Sequence, residues 1–320
     1  MSLGAQLFKL VGIWLFVTVA LILIVLLPRG NPQIDYSSSR VEMTAEYAEN
    51  ITTFSWGKYW DNIQNTFGTV IEEKSLGQTV YLHSVEYEVW RYFSKSLIIL
   101  IPAIFVSIIF GILKGYFDFR YSGLKYNIVG RRTTSFFLSV PDFFLIICIQ
   151  MGLIILFRFG FPEVDIYGYE NLDNKLFGIF FLSMYPVFYI ARVVESILYE
   201  ETGKDYVRTA MSKGISISKI IWRHMFSNGL LKIISHFNTI ILYLLSNLFI
   251  VEFLIGYRGA AYRFYRAFNV KKQFAAGDNM DIEIPLVIEY IVLFTFVVLC
   301  AQILSKIAAH FLLAKEGAES

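Results

Sequence analysis

Six stretches of this chain stay apolar for about 20 residues at a time, and no other feature narrows its possible folds as far. They run from about Phe8 to Leu27, Ser96 to Phe117, Ser135 to Phe157, Leu176 to Leu198, Ile233 to Ile255 and Pro285 to Ile307. At about 1.5 Å per residue, a helix of that length crosses a hydrocarbon core of about 30 Å. Inside that core each backbone N–H and C=O must be satisfied within its own segment, which selects helix over open strand. The composition agrees, since 56% hydrophobic residues is more than a soluble domain keeps in solution. The reading is an all-α polytopic membrane protein with six transmembrane helices. The apolar part of the first run, Leu10 to Leu27, is too long for a signal peptide, and "LLPRGNP" offers no small-residue cleavage site, so it is read as a retained span.

The loops set orientation and domain organisation. Residues 1–27 form the N-terminal span, 28–95 a polar segment rich in acids and aromatics, 96–313 a core of five spans, and 314–320 a tail. "RYSGLKYNIVGRRTT" carries Arg120, Lys125, Arg131 and Arg132 with no acid, and the connection after the fourth span adds Lys204, Arg208, Lys213, Lys219 and Arg223. The positive-inside bias places both loops in the cytoplasm, and an even number of spans then places both termini there too. "YRGAAYRFYRAFNVKK" dissents, being basic on what this topology makes the outer side. In the 28–95 segment, Tyr36, Tyr47, Phe54, Trp56, Tyr59, Trp60 and Phe67 fit a cap over the spans or a docking face. They fit equally a small folded core or an interfacial belt. A net charge of +2 makes no bulk case for nucleic acid, and Cys148 and Cys300 both sit in apolar runs, where neither supplies a loop disulfide.

The connection "DYVRTAMSKGISISKIIWRH", Asp205 to His224, is polar and basic yet helix-forming. Val207, Ala210 and Met211 fall at helical spacing, Gly214 interrupts, and Ile217, Ile220, Ile221 and Trp222 resume, which predicts two short helices with a bend. Ser216 or Ser218 caps the second, and the small pair Ala210 and Gly214 offers a surface another protein could approach closely. Periodicity alone is met as well by an amphipathic loop lying on anionic lipid.

Carried on to Leu231, the stretch resembles the EAA loop of permease subunits of ATP-binding cassette importers, in the oligopeptide, dipeptide and nickel group. Asp205, Tyr206, Thr209, Ala210, Lys213, Gly214, Ser216, Arg223, His224 and Asn228 match the motif in spacing. "LLPRGNP", "SVPDFF", "YIARVVESILYEE" and "FIVEFLIGYRGAA" are similar to further family segments in the same order, so the resemblance covers nearly the whole chain. The chain departs from it at Lys232 and Arg258, where the family usually has proline, and at its C-terminus.

The resemblance implies a type I importer permease fold with a cytoplasmic coupling helix within 200–228. It also implies a second permease subunit, a related but different chain, two cytosolic ATPases, and an extracytoplasmic solute-binding lipoprotein. The cargo it implies is short peptides, with nickel or a metal chelate as the alternative, and the setting is the cell membrane. On this reading Asp205, Tyr206, Arg208, Thr209, Ala210, Lys213, Gly214, Ser216, Arg223 and His224 meet the ATPase. The chain would do no catalysis and hold no cofactor, and it has no G-x-x-x-x-G-K-S/T phosphate cradle.

Ionisable residues within spans are costly and so mark a pathway by default. Asp142 lies about 9 residues in from Thr133, roughly 14 Å along a helix, and either faces the translocation path or occupies a first helical turn after Pro141. Arg192 and Glu195 are spaced to pair with each other, while His236, Asn238 and Asn247 read as hydrogen-bond partners between helices. An ion-coupled secondary transporter would need more acids at mid-membrane and inverted repeats. An embedded enzyme would need a convergent catalytic set, and a non-transporting scaffold is the remaining class.

Overall fold

The computed structural model describes residues 3–27, 55–123, 128–268 and 282–319. Tyr36, Tyr47, Phe54 and Lys125 lie outside the described residues. The helices are α1 (Leu3–Val25), α2 (Trp56–Glu73), α3 (Val85–Arg120), α4 (Thr133–Ser139), α5 (Asp142–Arg158), α6 (Leu172–Thr202), α7 (Asp205–Ser212), α8 (Ile217–Ile220), α9 (Phe226–Ser235), α10 (Phe237–Leu254), α11 (Ala260–Ala267) and α12 (Ile284–Glu319). Among the described residues, α1, α3, α6, α10 and Ile284–Leu312 of α12 are each long and apolar enough to cross a membrane.

The expected third span is not one helix. It is a pair, Val129–Ser139 and Asp142–Arg158, bent by 104°, and the count of six holds if that pair is one span. The cause is Pro141, which has no N–H to donate and forces Val140 out of the helical region, to φ −94° and ψ 130°. Two other boundaries also move. Helix α3 starts at Val85, so the end of the 28–95 segment is already helical, and the fifth span is entered through α9, which meets α10 at His236.

The chain divides into two compact units. The first comprises Met1–Leu10, Lys95–Arg258 and Val298–Ser320. Its centre is α6, packed against α4, α5, α9 and α10. Phe181, Leu182, Ala191 and Val194 of α6 and Leu244, Leu248 and Val251 of α10 are buried there. Helix α3 approaches α6 through Gly111 and Gly115, where added Cβ atoms would fall 2.6 Å from Ile190 Cβ and 2.6 Å from the Ala191 carbonyl oxygen. Two small residues four apart let helix backbones come this close in a membrane. Buried polar groups join the same helices: Ser96 donates to Glu252, and Lys114 and Thr134 both donate to the buried Asp118, tying α4 to α3.

The second unit comprises Val11–Ser94 and Gly259–Val297. Helix α2 is capped by Ser55 and bonded to α1 by Tyr59, whose hydroxyl donates to the Leu23 carbonyl at 3.1 Å, and by Asn62, which donates to that of Leu26 at 3.2 Å. Trp56, Trp60, Phe67 and Ile71 of α2 are exposed. At the heart of this unit Arg263 of α11 lies between Glu88 of α3 and Glu283, with side chains only 4%, 2% and 8% exposed. Thr79 donates to Glu88, and the Tyr81 ring lies 5.4 Å from the guanidinium. The dissenting basic loop therefore commits one of its charges to a buried triad carrying more acid than base. In the first unit Arg258 likewise lies over Tyr169, at 5.2 Å.

Candidate functional site

The residues Asp205 to His224 fold as an elbow. Gly203 ends α6, Lys204 is extended, and Asp205 opens α7 in a first turn that favours its negative charge. The helix closes on a Schellman motif: Ile215 N–H donates to the Ala210 carbonyl at 3.3 Å and Gly214 N–H to that of Met211 at 3.0 Å. Gly214 takes φ +70°, the left-handed conformation that makes glycine the favoured residue at this bend. Ser216 stands at the N-cap of α8, with no side-chain capping bond. The second arm is longer than expected, running from α8 through a π-type turn, Ile221–Met225, into α9.

The underside of the elbow is apolar and buried, through Val207, Ala210, Ile220, Ile221 and Met225. Ala210 therefore packs within the chain, and the accessible small surface is that of Gly214 alone, flanked by exposed Met211, Ile217 and Trp222. Asp205, Arg208, Thr209, Lys213, Ser216 and Arg223 are exposed around them, and Tyr206 and His224 are half-buried. Arg208 lies 3.7 Å from Asp205, and Thr209 donates to the Asp205 carbonyl. Tyr206 donates to Glu201 at 2.7 Å, and burial, then this bond, push its phenol up to about 12. The elbow is braced at both ends. Lys232, where the motif usually has proline, bonds Glu200 at 2.6 Å, and Tyr116 of α3 contacts Ser218 at 3.3 Å and the Trp222 ring at 5.3 Å.

Asp142 occupies the first turn of α5 directly after Pro141 and accepts the Tyr243 hydroxyl at 2.9 Å. This pair is one end of a feature that single residues did not reveal. Tyr185, Tyr189, Arg192, Ser196 and Tyr199 recur at intervals of four and three along α6, so they share one face. His236, at the start of α10, followed by Thr239, Tyr243 and Ser246 does the same. The two stripes meet antiparallel: the Tyr185 and Tyr243 rings stack at 4.1 Å, and the Tyr189 hydroxyl lies 3.1 Å from His236 Nδ1. The result is a polar ribbon none of whose members is fully buried. At its far end Arg131, Arg192, Glu195, Ser196 and Tyr199 line a cavity of about 380 Å³. Glu195 pairs there with Arg131 at 3.8 Å rather than with Arg192. Of the remaining polar residues on α10, Asn247 is buried and neither of its side-chain polar atoms has a hydrogen-bond partner among the described residues.

A model of the family described as binding-protein-dependent transport system inner membrane component matches residues 107–312, more than half of the chain. The chain belongs to that family. In this inner-membrane component the matched region takes in both the elbow and the ribbon. The dipeptide transport system permease protein DppB of Bacillus subtilis is 33% identical over 88 residues, covering 28% of this chain and 29% of its own length. The oligopeptide transport system permease protein AppB of the same organism is 26% identical over 204 residues, 62% of each chain. The chain thus spans less than two thirds of the length of these relatives. Among solved structures, a chain of the MetNI methionine ABC transporter in an inward-facing conformation superposes with a TM-score of 0.55 at 15% identity, covering 71% of this chain and 97% of that one. This likeness is one of fold, and it supports the expected all-α, MetI-like architecture.

Proposed function

We propose that this inner-membrane component is a permease subunit of an ABC importer for short peptides. It works beside a second, related permease chain, two cytosolic ATPases and an external solute-binding lipoprotein, and both its termini are cytoplasmic. The observation that carries the reading is the elbow: a braced knob with an exposed apolar tip, matching the coupling motif residue by residue. A patch of this kind on a membrane protein suits a protein socket. ATP-driven closure of the ATPases around the knob would pull on α6 and α9, to which it is bonded, and swing those helices as rigid bodies. The polar ribbon is then one wall of the translocation path. Peptide is favoured over nickel or a chelate as cargo because the curated relatives reported above are named for dipeptide and oligopeptide transport.

The test uses the assembled complex in proteoliposomes. Met211→Asp and Gly214→Arg each spoil the tip, the first without disturbing the bend. Both are expected to lower peptide-stimulated ATP hydrolysis and peptide uptake by about tenfold or more. Hydrolysis and uptake equal to wild type in both variants would refute coupling through the elbow, and uptake of nickel but of no peptide would transfer the cargo to the alternative.

A further inference from the structure

The ribbon carries opposite charges at its two ends. At one end is the Asp142 carboxylate, whose Oδ2 accepts from Tyr243 and whose Oδ1 accepts from the Phe143 N–H at 2.9 Å. Each oxygen has a second lone pair to offer. At the other end Arg131, Arg192 and Glu195 line the cavity, and this end is net positive whether or not Glu195 holds a proton. Arg192 is exposed and makes no ion pair among the described residues. The Glu195 side chain is only 4% exposed, and its Oε1, buried beside the cavity, has no hydrogen-bond partner among the described residues. An exposed arginine and a carboxylate on membrane-spanning helices are unfavourable against lipid, so this face turns to water and to whatever the water carries.

The rise along α6 sets the scale of the spacing between the two ends. Tyr185, stacked on the tyrosine that holds Asp142, and Arg192 are seven residues apart on one helix face, about 10 Å at 1.5 Å per residue. An extended peptide spans about 3.3–3.6 Å per residue, so its ammonium and carboxylate ends lie about 10 Å apart when it has three residues. Between the charged ends the ribbon presents tyrosine rings and hydroxyls, which accept varied side chains through stacking and adaptable hydrogen bonds.

We propose that the ribbon reads both termini of the cargo: Asp142 takes the N-terminal ammonium, Arg131 and Arg192 take the C-terminal carboxylate, and their spacing favours three residues. Glu195 orients Arg131 and does not touch the cargo. The inference rests on the peptide reading above and extends it from the class of cargo to its length and its free ends.

The experiment measures uptake by the assembled complex in proteoliposomes of alanine peptides of two to six residues, free, N-acetylated or C-amidated. Each variant is expressed as a ratio to wild type for every peptide that wild type carries, which cancels the preference of the binding protein. Arg192→Gln is expected to lower uptake of the free tripeptide about tenfold, with the loss confined to cargo bearing a free carboxylate. Asp142→Asn is expected to give the same loss confined to cargo bearing a free ammonium. In both, the relative advantage of three residues over five should flatten. Equal losses for free and capped peptides, or no loss in either variant, would overturn the proposal while leaving peptide import standing. A wild type that carries no peptide of any length would overturn both readings together.

Discussion

Replacing Gly115 by alanine tests whether α3 and α6 are held in contact by absent side chains. A Cβ built at Gly115 lies 2.6 Å from the Ala191 carbonyl oxygen and 2.7 Å from Val194 Cβ, and one at Gly111 lies 2.6 Å from Ile190 Cβ. None of these neighbours can rotate away, since each is backbone or attached directly to it. Ordinary contact returns only if the helices separate by roughly 1 Å, and overpacking of this kind costs about 1–3 kcal/mol. One separation relieves both clashes, so Gly111→Ala combined with Gly115→Ala should cost little more than the worse single change, short of additivity. Gly152 of α5 is the internal control, because its added Cβ meets nothing within 4 Å. There alanine should be neutral or stabilise by about 0.4–1 kcal/mol. The assay is thermal unfolding of the purified chain followed by intrinsic tryptophan fluorescence. At about 2 °C per kcal/mol for a chain of a few hundred residues, Gly115→Ala should lower Tm by roughly 2–6 °C. A Gly115→Ala protein as stable as wild type, or a fully additive double variant, would refute the argument from close approach.

Two further outcomes follow from polar contacts. Arg263→Met leaves Glu88 and Glu283 buried without their cation and should cost about 3–5 kcal/mol, read as a large fall in Tm, whereas converting all three residues to apolar ones of similar volume should recover most of it. Tyr206→Phe removes the bond to Glu201 and should cost about 1 kcal/mol. Because the folded phenol is raised to about 12 from an unfolded value of about 10, its contribution is complete below pH 10 and fades as pH rises toward 12. The Tm difference between Tyr206→Phe and wild type should therefore be flat from pH 6 to 9.

The spans were legible because length and apolarity are properties of single segments, and a lipid environment admits few other solutions. The break in the third span was legible in kind but missed in extent: hydropathy runs unbroken across Ser135–Phe157, while one missing N–H at Pro141 turns the chain through 104°. The elbow was readable because its bend depends on one glycine and its neighbours in sequence. The continuation of α8 into α9 was not, since Asn228-Gly229, a pair that signals a turn, lies inside the helical arm. The ribbon escaped notice for a different reason. Taken singly, Asp142 is an acid within a span, Arg192 a mate for Glu195 and His236 a hydrogen-bond partner between helices, whereas what unites them is tyrosines and hydroxyls on two helices whose facing positions, such as Tyr189 and His236, are 47 residues apart. The Arg263 triad likewise needs a partner 175 residues away, so a local count of basic residues misjudged that loop.

That triad also fastens two stretches of the second unit to each other. Glu283 N–H donates to the Ala267 carbonyl at 3.0 Å, and both Glu283 carboxylate oxygens accept from Arg263 Nη2 at 2.9 Å. Ala267 and Glu283 are thus clamped together by a backbone bond and, through Arg263, a side-chain fork. Closing a chain between two fixed points costs entropy that grows slowly, by about 0.6 kcal/mol for each doubling of the length between them. With both posts held in this way, relatives can differ in the number of residues between them and keep the same clamp.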